Sequence, residues 1–154
     1  MSFDSAFLKK HYGDQIDALQ AFLDDACTGL PYKDNALVRF GGGTALAIYY
    51  FQHRLSFDID LFATDPQIMN YLSPKHWIEE ASAFNSDSYI DLGHHIRVLF
   101  RRQNIKVDVL VAQDFVSQAY IDTSRKLFSH DVYVESIASK ILSRKRSFIA
   151  AKII

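Results

Sequence analysis

The sequence predicts a mixed α/β domain of the α+β kind, a mixed sheet flanked by helices. Three observations point there. Segments of helical and of strand periodicity interleave along the chain. Two strand-like runs, 94–101 and 105–111, flank Arg102-Gln103-Asn104 and read as an antiparallel hairpin, so the sheet is not purely parallel. Gly41-Gly42-Gly43 separates a short apolar strand from an apolar helix, and three glycines in a row resist both kinds of element.

The elements follow in order. Asp14 is placed to cap a helix that carries Ile16, Leu19, Phe22 and Leu23 on one face and stops near Gly29. Residues 30–35 read as a loop and 37–40 as a short strand. After the glycines, Thr44 opens a helix that runs to about His53. Residues 56–62 alternate, with Phe57, Ile59 and Leu61 on one side and Ser56, Asp58 and Asp60 on the other, the pattern of a half-buried strand. Asp65-Pro66 and Ser73-Pro74 each read as a cap followed by proline at the first helical position. A helix bearing Trp77, Ile78, Ala81 and Phe84 should follow the second. From Ser88 the pattern turns to strands, Gly93 marks a turn, and the hairpin follows. A last helix is expected over 134–148, with Ile137, Ile141 and Leu142 buried.

Composition bounds what such a domain can be. A length of 154 residues is that of a single domain, 1–154. The chain has 12 Phe, 8 Tyr and 1 Trp, enough apolar material for a core, which excludes a disordered chain. The longest apolar run, 45–51, falls far short of the roughly 18 residues of a membrane span. No basic stretch followed by an apolar one opens the chain, so no signal peptide is expected. One cysteine, Cys27, excludes an intrachain disulfide and CxxC zinc sites and fits a reducing compartment; the expected location is the cytoplasm. A formal charge of -1 argues against holding nucleic acid by bulk charge alone.

The chemistry concentrates in two places. Asp58 and Asp60 are two apart on a strand, so they share a face with alpha carbons about 6 to 7 Å apart. They repel each other unless a cation sits between them, and oxygen ligands of this kind suit Mg²⁺ or Mn²⁺. Asp108 lies between Val107 and Val109; if those two face the core, it faces away from it beside a neighbouring strand. Three aspartates on adjacent strands can hold two divalent ions about 3.5 to 4 Å apart, the arrangement for in-line displacement at phosphorus. Upstream, the glycine turn leads into a helix start, where free backbone N–H groups and the Thr44 hydroxyl can meet an anion. It is neither a P-loop, for want of Gly-Lys-Ser/Thr, nor a dinucleotide fingerprint, because Leu46 occupies the third glycine position.

Residues 40–62, FGGGTALAIYYFQHRLSFDIDLF, resemble the AbiEii/AbiGii-type toxin nucleotidyltransferase family, a branch of the DNA polymerase beta-like nucleotidyltransferase superfamily. The shared pattern is Gly42, Gly43, Thr44, Ala45 and Leu46, then a helix, then Arg54, Ser56, Asp58, Ile59 and Asp60. Weaker matches extend it: 105–110 looks like the strand that supplies the third acid, Asp108, and 135–146 like a later helix whose lysine, Lys140, faces the nucleotide. The resemblance implies a polymerase beta-like core and Mg²⁺-dependent transfer of a nucleoside monophosphate from an NTP to a hydroxyl of RNA or protein. Asp58 and Asp60 would hold metal against the triphosphate. Asp108 would complete a second metal site and help deprotonate the acceptor. Gly42, Gly43 and Thr44 would grip the terminal phosphates, with Arg54, Ser56 and Lys140 as further nucleotide contacts. A toxin role implies a cognate antitoxin as partner. The sequence departs from the pattern after the lysine helix, where Ala151-Lys152-Ile153-Ile154 stands in place of an Arg-Asp then Phe-Asp-Leu-like segment. Two alternatives stay open: a degenerate member that binds nucleotide and metal without transfer, and a structural domain with solvated acids.

Overall fold

A computed structural model of the chain describes residues 4–30, 38–51, 57–112 and 118–136. Its centre is a seven-stranded mixed sheet. The strands are β1 (Val38–Gly41), β2 (Ile59–Ala63), β3 (Ile90–Asp91), β4 (His95–Phe100), β5 (Ile105–Val111), β6 (Tyr120–Asp122) and β7 (Val132–Val134). Their order across the sheet is β3-β4-β5-β2-β1-β7-β6. β2 with β5 and β1 with β7 run parallel, and the other neighbours are antiparallel.

Side-chain alternation divides this sheet into two unlike faces. Phe40, Ile59, Leu61, Ile96, Val98, Val107, Val109 and Val134 all point one way and are buried. Against that face packs α1 (Ser5–Asp25), through Leu8, Ile16, Leu19 and Phe22. Edge-on aromatic contacts tie the layers together: Phe22 meets Trp77 at 5.7 Å and Phe84 at 6.4 Å, and Phe84 meets Phe100 of β4 at 5.9 Å. Burying each such side chain contributes about 1.5–3 kcal/mol, so this layer carries the fold. The other face is mixed: it holds Arg39, Asp60, His95, Arg97, Lys106 and Asp108 alongside Phe62, Leu99 and Leu110.

Several elements differ from expectation. α1 begins at Ser5, capped by Asp4, whose carboxylate accepts from the Ala6 and Phe7 amides, and not at Asp14. The chain leaves helical geometry at Tyr12, beside Gly13, so Asp14 marks the resumption after a kink rather than the start. The helix expected around Trp77 is absent. Pro74–His76 is a single 3-10 turn, and Trp77 leaves helical geometry with φ -140°. Ala81 then bonds back to Ile78 and Phe84 to Ala81, an i to i+3 pattern. Turns of that pitch bring residues 78, 81 and 84 to one side as a helix would. Asp65 caps as expected, accepting from the Gln67 amide, whereas the Ser73 hydroxyl donates to Asp91 and caps nothing. Val134 belongs to β7 and pairs with Phe40, and residues 135 and 136 are not helical, so no helix starts there; residues 137–148 of the expected last helix lie outside the described residues. Among the described residues, no helix is long and apolar enough to cross a membrane.

Candidate active site

The glycine turn is where β1 hands over to α2 (Gly42–Leu46), which continues as a π-helical turn, Ala47–Phe51. Gly41 ends β1 and pairs with Asp60 of β2. Asp60 pairs with Asp108 of β5, and Asp108 pairs with Arg97 of β4. Partners in register point to the same face, so Gly41, Asp60, Asp108 and Arg97 form a row across four strands, about 5 Å apart from strand to strand. Asp58 stands just before β2 rather than within it, and Phe57 beside it is exposed instead of buried. The Asp58 carboxylate accepts a long bond from the Lys106 amide, 3.4 Å, which keeps it at the row's edge beside β5.

The turn's backbone is fitted to this row. Gly42 has φ +74°, the left-handed region that favours glycine, and a Cβ on it would stand 2.1 Å from Asp60 Oδ2. A Cβ on Gly41 would stand 2.5 Å from Glu135 Oε2 and 2.6 Å from the Phe62 ring. Gly43 lies in the first turn of α2. Thr44 is buried, and its hydroxyl donates to the Asp58 carbonyl at 2.5 Å. The single hydroxyl proton is thereby committed to fixing the acid's backbone and is not turned outward to an anion. Arg54, Ser56 and Lys140 lie outside the described residues.

Asp108 is held by two side chains of β4. It is 7% exposed; Arg97 Nε donates to its Oδ1 at 2.7 Å, an Arg97 terminal nitrogen reaches Oδ2 at 3.5 Å, and His95 Nε2 lies 2.9 Å from Oδ1. The bond to Asp108 and its charge raise the Arg97 pKa above its usual value, with Asp58 and Asp60 adding to the rise. At the far end of the row, buried Glu135 donates its amide to the Phe40 carbonyl at 2.9 Å. Burial lowers the Arg39 pKa, and the Glu135 charge opposes that. A separate cavity of about 400 Å³, lined by Asp24, Asp25, Tyr71, His76, Trp77 and Glu80, lies at the C-terminal end of α1 and contains none of the row.

Residues 22–119 match the family model described as nucleotidyl transferase AbiEii toxin, type IV toxin–antitoxin system. The chain belongs to the AbiEii family of nucleotidyltransferase toxins. The matched stretch holds the whole row, and Glu135 lies beyond it. The AbiEii chain is also similar in structure to MenT4, a nucleotidyltransferase toxin from Mycobacterium tuberculosis, with 17% identity and a TM-score of 0.46. That likeness covers 89% of this chain and 56% of MenT4, so the chain spans little more than half of that toxin's length. No curated protein matches it in sequence.

Within this AbiEii domain, sequence reasoning did not single out Arg97 or Glu135, and it considers His95 only as half of a His94-His95 metal pair, which adjacent strand positions exclude. A signal for the first existed. In an antiparallel hairpin the paired numbers have a constant sum, so once Phe100 faces Ile105, Arg97 must face Asp108. Glu135 carried no such signal, because its place depends on β7 pairing with β1 across nearly a hundred residues.

Proposed function

We propose that this AbiEii domain transfers a nucleoside monophosphate from an NTP to a hydroxyl of RNA or protein, as the toxin of a toxin–antitoxin pair whose antitoxin binds it. The reading is carried by one observation: Asp60 and Asp108 are in register on neighbouring strands, with the Gly42 backbone closed against Asp60. Family membership gives that geometry its chemistry.

The acids suit a hard divalent cation, Mg²⁺ or Mn²⁺, because their donors are all oxygen and Gly42 leaves clear the space a Cβ would take from Asp60. Among the described residues, no group of three or more His, Cys, Asp or Glu is drawn together tightly enough to hold an ion as it stands, and Asp108 is bonded to Arg97 and His95. Asp58 and Asp60 would hold one ion, and Asp108, once freed from these bonds, would complete the site of a second; such ions would draw charge off the triphosphate and the leaving pyrophosphate. Thr44 keeps Asp58 in place through its backbone. Gly42 and Gly43 let the chain approach the phosphates closely, and Arg54, Ser56 and Lys140 are further nucleotide contacts. Asp108 would accept the acceptor hydroxyl's proton as that oxygen attacks the alpha phosphorus and pyrophosphate leaves.

The test uses alpha-labelled NTPs, each in turn, with total RNA and then with cell protein, alongside melting curves with NTP and Mg²⁺ or chelator. A ligand present at about 100 times its dissociation constant adds roughly 2.7 kcal/mol of stability. NTP with Mg²⁺ should raise the melting temperature more than NTP with chelator, and Asp58→Asn should abolish the difference. Asp108→Asn should keep much of the nucleotide binding and lose the label. The binder without transfer is favoured by one observation, the engagement of both Asp108 oxygens. Metal-dependent NTP binding with no label on any acceptor would establish it instead. Equal melting shifts with and without metal would favour the structural domain.

A further inference from the structure

Three carboxylates lie together at the middle strands β2 and β5, and a cation already sits beside them. Arg97 projects from β4 onto the same face, and its guanidinium holds Asp108 by Nε at 2.7 Å and by a terminal nitrogen at 3.5 Å. His95, two residues earlier on the same strand and face, takes the remaining approach to Oδ1 at 2.9 Å. Arg97 is about one-third exposed and the Asp108 side chain only 11%, so the pair sits at the mouth of the row with the acid on the inside. The guanidinium also feels Asp58 and Asp60, so its charge acts on all three acids. Any divalent ion that used Asp108 would have to take the place of this fork. A guanidinium cannot lose its charge at ordinary pH, so it clears the carboxylate only by swinging away.

We propose that Arg97 is a resident counter-cation of the site: it occupies Asp108 in the metal-free protein and competes with a divalent ion for that carboxylate. This makes Arg97 a positioning residue that acts through Asp108, and it rests on the metal-binding reading above. Two consequences follow. The metal-free fold does not carry three unshielded acids side by side. The affinity for the ion that uses Asp108 is set against the Arg97–Asp108 pair, so removing Arg97 tightens metal binding. A purely structural arginine predicts the opposite sign, because loosening β4 and β5 would weaken the site.

The experiment is a Mn²⁺ titration of the full chain followed by the EPR signal of free ion, on wild type, Arg97→Gln, Arg97→Lys and the double variant Arg97→Gln with Asp108→Asn. Arg97→Gln should bind Mn²⁺ at least about tenfold more tightly than wild type, equivalent to about 1.4 kcal/mol. The double variant should lose that gain. In chelator, Arg97→Gln should melt below wild type, and Mn²⁺ should restore it. Arg97→Lys keeps the charge without the fork and should show a smaller gain; if Arg97→Gln does not fold, this variant decides. Native circular dichroism with unchanged or weaker Mn²⁺ binding in the folded variant overturns the inference and leaves the metal reading intact. Wild type that binds no Mn²⁺ overturns both.

Discussion

At Gly42 two demands meet in one backbone position: a φ of +74°, and a carboxylate oxygen 2.1 Å from where a Cβ would stand. Each alone disfavours any other residue. Together they predict that Gly42→Ala loses about 1–3 kcal/mol of stability and abolishes transfer, checked by urea unfolding and by the labelled-NTP assay. Asp60 then has to move, so activity should fall even in the fraction that folds. Cys27 shows a different kind of constraint. It is buried, and burial pushes its thiol up to about 12 from an ordinary value of 9.0. The folded thiol therefore stays protonated where the unfolded one ionises. Its contribution to stability is fully present below about pH 9 and is lost as pH rises toward 12. In urea titrations across that range, Cys27→Ala should remove this part of the alkaline loss. At pH 8, a thiol reagent should label the wild-type protein only when it unfolds.

The aromatic layer under the sheet acts as a single element although its members come from four segments. Phe84 is fully buried, edge-on to Phe22, Trp77 and Phe100. Phe84→Ala should cost about 3–5 kcal/mol, measured by urea unfolding, because no neighbour can collapse into so large a space without leaving its own contacts. Arg102, by contrast, pairs with Asp14 from an exposed position, and such pairs contribute at most about 1 kcal/mol. The same layer shows how far the sequence could be read. The burial of Trp77, Ile78, Ala81 and Phe84 was legible, since apolar residues three and four apart must face one way. The element type was not, because 3-10 turns and an α-helix satisfy that spacing equally. The β4–β5 hairpin was legible from its alternation on both sides of a polar turn. The face of Asp108 was legible on the condition that Val107 and Val109 turn inward, as they do. β6 was not, being three residues long with two of them exposed.

Across the whole molecule the acids were easier to find than their surroundings. A pair two residues apart is written locally, whereas Arg97 and Glu135 reach the row only through strand pairing. β1 and β2 form an antiparallel pair from nearby sequence, yet β1 waits for β7 on one side and β2 for β5 on the other. Contacts between such distant segments form slowly, since the loop between them must close first. This order of assembly has a meaning during synthesis. A ribosome that has released the chain only through residue 63 has made both halves of the Gly42–Asp60 contact. Asp108 and Arg97 do not yet exist as partners, and both flanks of the nascent pair expose unpaired backbone groups. The unfinished product therefore has the Asp58 and Asp60 acids without the rest of the row, and its open strand edges can pair with other chains. A translating cell meets the aggregation hazard of this protein before it meets its chemistry.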